Sequence, residues 1–247
     1  MNQKLNIQII IEILEEYFSK EDLVGAGKHL ENSLSKAREI NDWQSELSIL
    51  NEMIGYYRRV GKKEPALIAV NEAFEMIDNK SLTGQITAAT IWLNGATTLK
   101  AFGTPEKGIP YFEKVEEVYR EKLDPNDYKY ASLFNNRALS HVDLEEYETA
   151  ISYYEKAIEI MKFRKAYIEL AVTYTNMAQM YERWTGDDDR ISECLLIAKE
   201  FIDHPAIEKN GYYAFNCRKC APTFGYYGFF LFQKELDERA DRIYEGN

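Results

Sequence analysis

Residues 135 to 158 read NNRALSHVDLEEYETAISYYEKAI, which places Asn, Arg, His, Asp and four Glu side chains in one short stretch. General acid–base catalysis needs an enclosed pair of titratable groups with shifted pKa values. The same residues also fit a helix whose acids face water. We favour the helix, because no phosphate loop, nucleophile elbow or zinc-binding His–Glu helix occurs in the sequence. His141 is interpreted as a packed side chain, and we predict that the protein is not an enzyme.

Cys217 and Cys220 form the one pair with metal-ligand spacing, CRKC. Two thiolates do not complete a tetrahedral zinc site, and only Cys194 and His204 lie near enough in sequence to add ligands. We therefore interpret the two cysteines as small apolar side chains on a core face, and a zinc site is the alternative. We expect no metal and no cofactor.

The composition predicts an all-helical protein. Helix-forming residues dominate, whereas the 247 residues include only 13 Gly and 6 Pro. The net charge of −11, from 30 basic and 41 acidic residues, disfavours binding to nucleic acid and to anionic membranes. Three cysteines do not make a disulfide framework, and the first segment is too short and too acidic for a signal peptide or membrane span. A cytoplasmic location is the prediction.

A repeat of about 42 residues organises the chain. The second helix of each predicted unit carries a small residue at positions 66, 108 and 150, which are 42 residues apart. The first helices share a large–small–large stripe at i, i+4 and i+7, typical of closely packed helices. The central site of this stripe is usually small, and it is occupied by Ile54, Ala96, Ala138 and Ala178.

These features resemble the tetratricopeptide repeat, in a long bacterial form of about 42 residues. NNRALSHVDLEEYETAISYYEKAIEI is the best copy, and NEMIGYYRRVGKKEPALIAVNEAFEMI is the next. The resemblance implies an all-α fold, an α-solenoid forming a right-handed superhelix of about six antiparallel helix pairs. It implies a single domain over residues 1–247, with approximate units 5–41, 47–79, 86–123, 128–163, 166–204 and 210–244. Pro110 is expected to break or kink the second helix of the third unit.

Helices of this family bind extended peptides on the concave wall formed by the first helices. Positions −6, −3, −2, +1 and +4 from the central site share one helical face, so we expect them to line that groove. Position −2 is occupied by Glu52, Asn94, Asn136 and Asn176. Because an amide both donates and accepts hydrogen bonds, three asparagines in register suit the backbone of an extended chain. An equally weighted alternative is that these asparagines are solvated or hydrogen-bond between helices.

The remaining candidate groove residues are polar or basic. The predicted peptide-binding set is Asn51, Glu52, Arg58, Arg59, Asn94, Lys100, Asn135, Asn136, Asn176 and Arg183. Its basic end, at Arg58, Arg59 and Lys100, favours an acidic peptide or a C-terminal carboxylate as the ligand.

The resemblance therefore implies a non-catalytic scaffold or adaptor that binds a protein segment or a short peptide. The alternative is an intracellular receptor for a signalling peptide that acts through a protein partner. The repeats are expected to begin by about Leu5, which leaves no room for a DNA-binding domain before them. The aromatic tract YYAFNCRKCAPTFGYYGFFLF has two interpretations, a packed final helix pair or a surface for homodimerisation.

Overall fold

The computed structural model describes residues 4–246, which form twelve α-helices and, within that range, no strand. The chain divides into two compact units, the first ending at Leu123 and the second beginning at Asp124. Each unit contains three antiparallel helix pairs. The predicted all-α fold of about six tetratricopeptide-like helix pairs is confirmed. That residues 1–247 act as a single domain stays a prediction, and residues 1–3 and 247 lie outside the described part.

In the first unit, each pair consists of a first helix that packs on a second helix of similar length. The helices are α1 Ile7–Ser19, α2 Leu23–Glu39, α3 Trp43–Arg59, α4 Lys63–Asn79, α5 Ile86–Ala101 and α6 Pro105–Lys122. The first helices also contact each other, because α3 packs against both α1 and α5.

The second unit repeats this arrangement. Its helices are α7 Tyr128–Asp143, α8 Tyr147–Arg164, α9 Tyr167–Trp184, α10 Asp188–Ile202, α11 Gly211–Tyr226 and α12 Phe230–Tyr244. Here α9 packs against both α7 and α11. In both units, therefore, the first helices form one layer and the second helices flank it.

The turn between the two helices of a pair has the same conformation in all six pairs. Each contains one residue with positive φ, at positions 21, 61, 103, 145, 186 and 228. Glycine adopts this left-handed conformation without a Cβ clash, and it occupies four of the six positions. The period of 40 to 42 residues between these positions is the backbone counterpart of the repeat in the sequence.

Small residues let the paired helices approach closely. In the first unit, a Cβ atom at Gly108 of α6 would lie 3.0 Å from the carbonyl oxygen of Ala96 of α5. Ala66 and Ala73 of α4 are fully buried in the same way. The small positions of the 42-residue pattern are thus the points of closest helix contact.

Pro110 does not break α6, which continues to Lys122. The proline is the sixth residue of the helix, so it removes only the hydrogen bond to the carbonyl of Glu106 in the first turn. Both residues are exposed, and water can satisfy that carbonyl.

Candidate interaction surfaces

The residues at −6, −3, −2, +1 and +4 from each central site lie on the first helices. Those within one compact unit are here called the first-helix face of that unit. In the first unit, this face bears a chain of hydrogen-bonded amides. The Nδ2 atom of Asn94 donates to Oδ1 of Asn51 at 2.8 Å, which joins α5 to α3. Asn51 Nδ2 in turn donates to the carboxylate of Glu52 at 3.2 Å. Burial, and to a smaller extent the charge of Glu15, raises the pKa of Glu52 above its usual value.

Arg58 also bridges α3 and α5. Its Nη1 atom donates to the carbonyl oxygen of Asn94 at 3.2 Å and to the hydroxyl of Thr98 at 3.0 Å. Both acceptors are neutral, and no carboxylate within residues 4–246 pairs with this guanidinium. Burial therefore lowers the pKa of Arg58 from its usual value.

The predicted basic end also contains Arg59 and Lys100. Arg59 is exposed, and its guanidinium lies 4.7 Å from the ring centre of Phe18 at the end of α1. Lys100 is half-buried in the last turn of α5. Arg58 is the residue of this basic end that donates hydrogen bonds from α3 to α5.

In the second unit, the three predicted asparagines have different environments. Asn135 accepts a hydrogen bond from the hydroxyl of Thr173 at 3.2 Å, joining α9 to α7. Asn136 donates to the carbonyl of Ser132 in its own helix at 2.9 Å. The Nδ2 atom of Asn176 is buried and has no hydrogen-bond partner in the described part of the chain. One amide of this set is therefore unsatisfied, which is costly for a buried donor.

The first-helix face of the second unit ends at a cavity of about 400 Å³ between α9 and α11. Gln179 donates to the hydroxyl of Thr223 at 2.8 Å on one side of it, and Tyr227 donates to Glu182 at 2.5 Å on the other. Arg183 also lines this cavity, and its Nη1 atom donates to Asp143 of α7 at 2.8 Å. Polar pairs thus surround a concave surface that the sequence analysis did not predict.

The residues considered for catalysis or metal binding are packed side chains. His141 is buried, stacks on Tyr153 with ring centres 5.4 Å apart, and hydrogen-bonds Glu146 at 2.5 Å. Cys194 and Cys217 are buried thiols, and burial raises the pKa of each to about 11. Within residues 4–246, no group of three or more His, Cys, Asp or Glu side chains is arranged to hold a metal ion.

The C-terminal aromatic tract divides between core and surface. Tyr213, Phe224 and Phe232 are buried, so part of the tract is core as the first interpretation expected. Other large side chains of the last helix pair are exposed, namely Phe215, Tyr226, Phe230 and Leu231. The helices in the described range are all too short or too polar to cross a bilayer.

The hydrogen-bonded pairs that join neighbouring first helices have one feature in common. Asn51 and Asn94 are 43 residues apart, Gln179 and Thr223 are 44 apart, and Glu182 and Tyr227 are 45 apart. Residues one repeat apart on neighbouring first helices therefore face each other. The repeat period is the signal that could have predicted these partners, had it been applied across helices as well as along them.

A model of the tetratricopeptide repeat family matches residues 87–162, from α5 to α8. Over these two helix pairs the chain is similar to tetratricopeptide repeat proteins. Repeats of this family in general form scaffolds for protein interaction. A comparison of this repeat protein with curated sequences gave no significant match.

Solved structures share this architecture. BtubC (BKLC) from P. vanneervenii is 18% identical, with a TM-score of 0.54 over 92% of this chain and 91% of that one. Nearly identical TPR-like repeats attributed to a kinesin light chain of Podosopora anserina are 14% identical, with a TM-score of 0.56 over 80% and 94%. At these identities the similarity shows the fold alone.

Proposed function

We propose that this protein is a non-catalytic scaffold or adaptor that binds a protein segment or short peptide on its first-helix faces. We place it in the cytoplasm, where its three free cysteines would remain reduced. The proposed binding residues are those of the predicted set, from Asn51 in the first unit to Arg183 in the second. The family similarity supports the scaffold class, and the geometry of Arg58 supports the kind of ligand.

Arg58 is the observation that carries the proposal. A guanidinium taken partly out of water with only neutral partners is left without charge compensation. Its Nη1 atom is held by α5, which leaves Nε and Nη2 to donate. Those two groups form the fork that binds a carboxylate with two parallel hydrogen bonds. A side-chain or C-terminal carboxylate of a bound peptide would supply the missing charge.

The amides beside Arg58 would hold the backbone of the same peptide. The Asn94–Asn51–Glu52 chain uses the amide nitrogens within the protein and leaves Oδ1 of Asn94 to accept a peptide N–H. In the second unit, the cavity beside Arg183 would bind the same class of ligand.

Peptide selection tests this proposal. Random peptides with a free C-terminus are selected on the immobilised protein, and the affinities of enriched peptides are measured by fluorescence anisotropy. We expect the selected peptides to be rich in Asp or Glu, or to require a free C-terminal carboxylate. We expect Arg58→Gln to bind these peptides at least about tenfold more weakly than the wild type does. Arg120→Gln removes an exposed arginine from α6 of the same unit and should leave the affinity unchanged. Enrichment of basic peptides, or equal binding by Arg58→Gln, would contradict the proposal.

A second set of variants tests the amides. Replacing Asn94, Asn136 and Asn176 together by alanine should abolish peptide binding while far-UV circular dichroism stays that of the wild type. If the triple variant binds peptide normally, the amide part of the proposal is wrong, whatever the outcome for Arg58.

We also propose that the protein forms a homodimer through its last helix pair. Phe230 and Leu231 of α12 are 70% and 87% exposed, which is unusual for two adjacent large apolar side chains. Sedimentation velocity should show a dimer that the Phe230→Ser, Leu231→Ser double variant converts to a monomer. A monomeric wild type would contradict this.

A further inference from the structure

A second cavity of the second unit, with a volume of about 750 Å³, lies where α10 ends beside α12. None of the residues that line it belongs to the first-helix face. Its volume falls within the range of about 300 to 1,000 Å³ that is typical of small-molecule sites. The cavity is here called the α10–α12 cavity.

The long connection between α10 and α11 opens this cavity. Residues 203–210 make that connection eight residues long, whereas residues 165–166 connect α8 to α9. The short connection brings α8 directly against α9, but α10 has no comparable packing against α11 in the described part of the chain. The space left between the last two pairs is lined by the connection itself and by α12.

Arg239 of α12 organises the polar wall of the cavity. Its guanidinium contacts the carboxylates of Asp203 at 2.7 Å and Glu235 at 2.5 Å, and donates to the hydroxyl of Tyr213 at 2.9 Å. Both acids that line the cavity are thus already paired with this one arginine. Arg239 fixes the shape of the wall, and the pairing leaves the acids little capacity to attract a cation.

Two further cations lie at the cavity without a carboxylate partner. Arg242 is one turn after Arg239 on α12, and Lys209 lies at the end of the connection. Neither forms an ion pair with any residue between 4 and 246. Glu208, the nearest acid to Lys209 in sequence, lines a different cavity. The unpaired charge at the α10–α12 cavity is therefore positive.

The rest of the lining combines His204 and Pro205 with three isoleucines. Ile202 lies at the end of α10, Ile207 in the connection and Ile243 near the end of α12. Positive charge beside an aliphatic wall is complementary to a molecule that has an anionic group on an apolar body.

We propose that the α10–α12 cavity binds a small organic anion, with Arg242 and Lys209 holding its anionic group and the three isoleucines contacting its apolar body. This site goes beyond the proposed peptide-binding function and is independent of it, because the two sites share no residue. Binding there occupies the space created by the long connection between α10 and α11.

Anilinonaphthalene sulfonate, an apolar anion that fluoresces on leaving water, is the probe for this proposal. We expect saturable binding to the full chain, weakened at least about tenfold in the Lys209→Gln, Arg242→Gln double variant. Lys234→Gln, which removes an exposed lysine of α12 that does not line the cavity, should leave the Kd unchanged. The same probe is tested on Leu231→Ser, because exposed Leu231 belongs to an apolar surface of this helix pair that does not line the cavity.

Equal Kd values for the wild type and the double variant overturn the proposal, as does loss of binding in Leu231→Ser alone. Both substituted cations are exposed, so the double variant is expected to fold, and its melting temperature is measured alongside. A neutral naphthylamine of similar size should bind more weakly than the sulfonate to the wild type. Tighter binding of the neutral dye would show that the cations contribute nothing and would also overturn the proposal.

Discussion

Tyr154 and Tyr213 are both buried tyrosines of the second unit, but their hydroxyls differ in hydrogen bonding. The hydroxyl of Tyr213 accepts a hydrogen bond from Arg239, whereas that of Tyr154 has no partner in the described part of the chain. A buried hydroxyl without a partner costs about 1 to 3 kcal/mol, and a satisfied one contributes about 1 kcal/mol. The packing of the two rings is similar, so the hydroxyl is the difference.

Tyr154→Phe is therefore expected to raise the free energy of unfolding by about 1 kcal/mol, and Tyr213→Phe to lower it by about 1 kcal/mol. Urea denaturation followed by circular dichroism measures both values. Destabilisation by Tyr154→Phe as large as that by Tyr213→Phe would mean that the Tyr154 hydroxyl has a partner after all.

Asp42 gives the stability a specific dependence on pH. Its buried carboxylate caps α3 and accepts hydrogen bonds from the hydroxyl of Ser45 at 2.6 Å and from the backbone N–H of Leu5 at 2.9 Å. Burial alone raises the pKa of Asp42, but these hydrogen bonds lower it further than burial raises it, so the net pKa lies below its usual value.

Because folding lowers the pKa of Asp42, its carboxylate stabilises the folded state at pH values above its pKa in the unfolded chain. This stabilisation is lost as the pH falls through its pKa in the folded protein. Asp42→Asn should therefore destabilise the protein by about 1 kcal/mol at pH 7, and the difference from the wild type should shrink as the pH falls below about 4. Urea midpoints of both proteins across this range measure it. A difference that is constant with pH would contradict the assignment.

At the scale of the helix, glycines in first helices have opposite roles. A Cβ atom at Gly95 of α5 would lie 2.3 Å from the ring of Phe74 on α4, whereas one at Gly55 of α3 would have no atom within 4 Å. Alanine favours a helix over glycine by about 0.5 to 1 kcal/mol when nothing obstructs its methyl group.

Gly55→Ala should thus stabilise the protein by about 0.5 kcal/mol, and Gly95→Ala should destabilise it by about 1 to 3 kcal/mol because the Phe74 ring must move. Thermal or urea unfolding of the two variants measures the contrast. Stabilisation by both substitutions would show that α5 and α4 are not packed as closely as described.

The same scale shows what the sequence could predict. The helix pairs follow from the 42-residue spacing of small residues, because each marks a close contact and each turn needs a left-handed residue. Side-chain partners such as Arg58 with Asn94 did not follow. A pattern along one helix identifies the face on which a residue lies, but the direction of a long side chain depends on which acceptors the next helix presents.

At the scale of the whole molecule, composition and local chemistry point in different directions. The net charge of −11 favours basic partners at long range, whereas the unpaired Arg58 favours a carboxylate at contact. Long-range charge mainly changes the rate of association, but a desolvated charged contact mainly changes the rate of dissociation. We therefore expect specificity to follow Arg58, and overall association with an acidic peptide to become faster as salt is added.

The central claim is that partners bind the first-helix faces, and site-specific photocrosslinking tests it most directly. Benzoylphenylalanine is placed at Thr90 of α5 and at Ser132 of α7, each one turn before a predicted asparagine, and at exposed Ser152 of α8 as the matched control. We predict crosslinks to a protein partner in native cells from Thr90 and Ser132 but not from Ser152, with the Thr90 crosslink lost in Arg58→Gln. Crosslinks from Ser152 alone, or equal yields from all three positions, would contradict the claim.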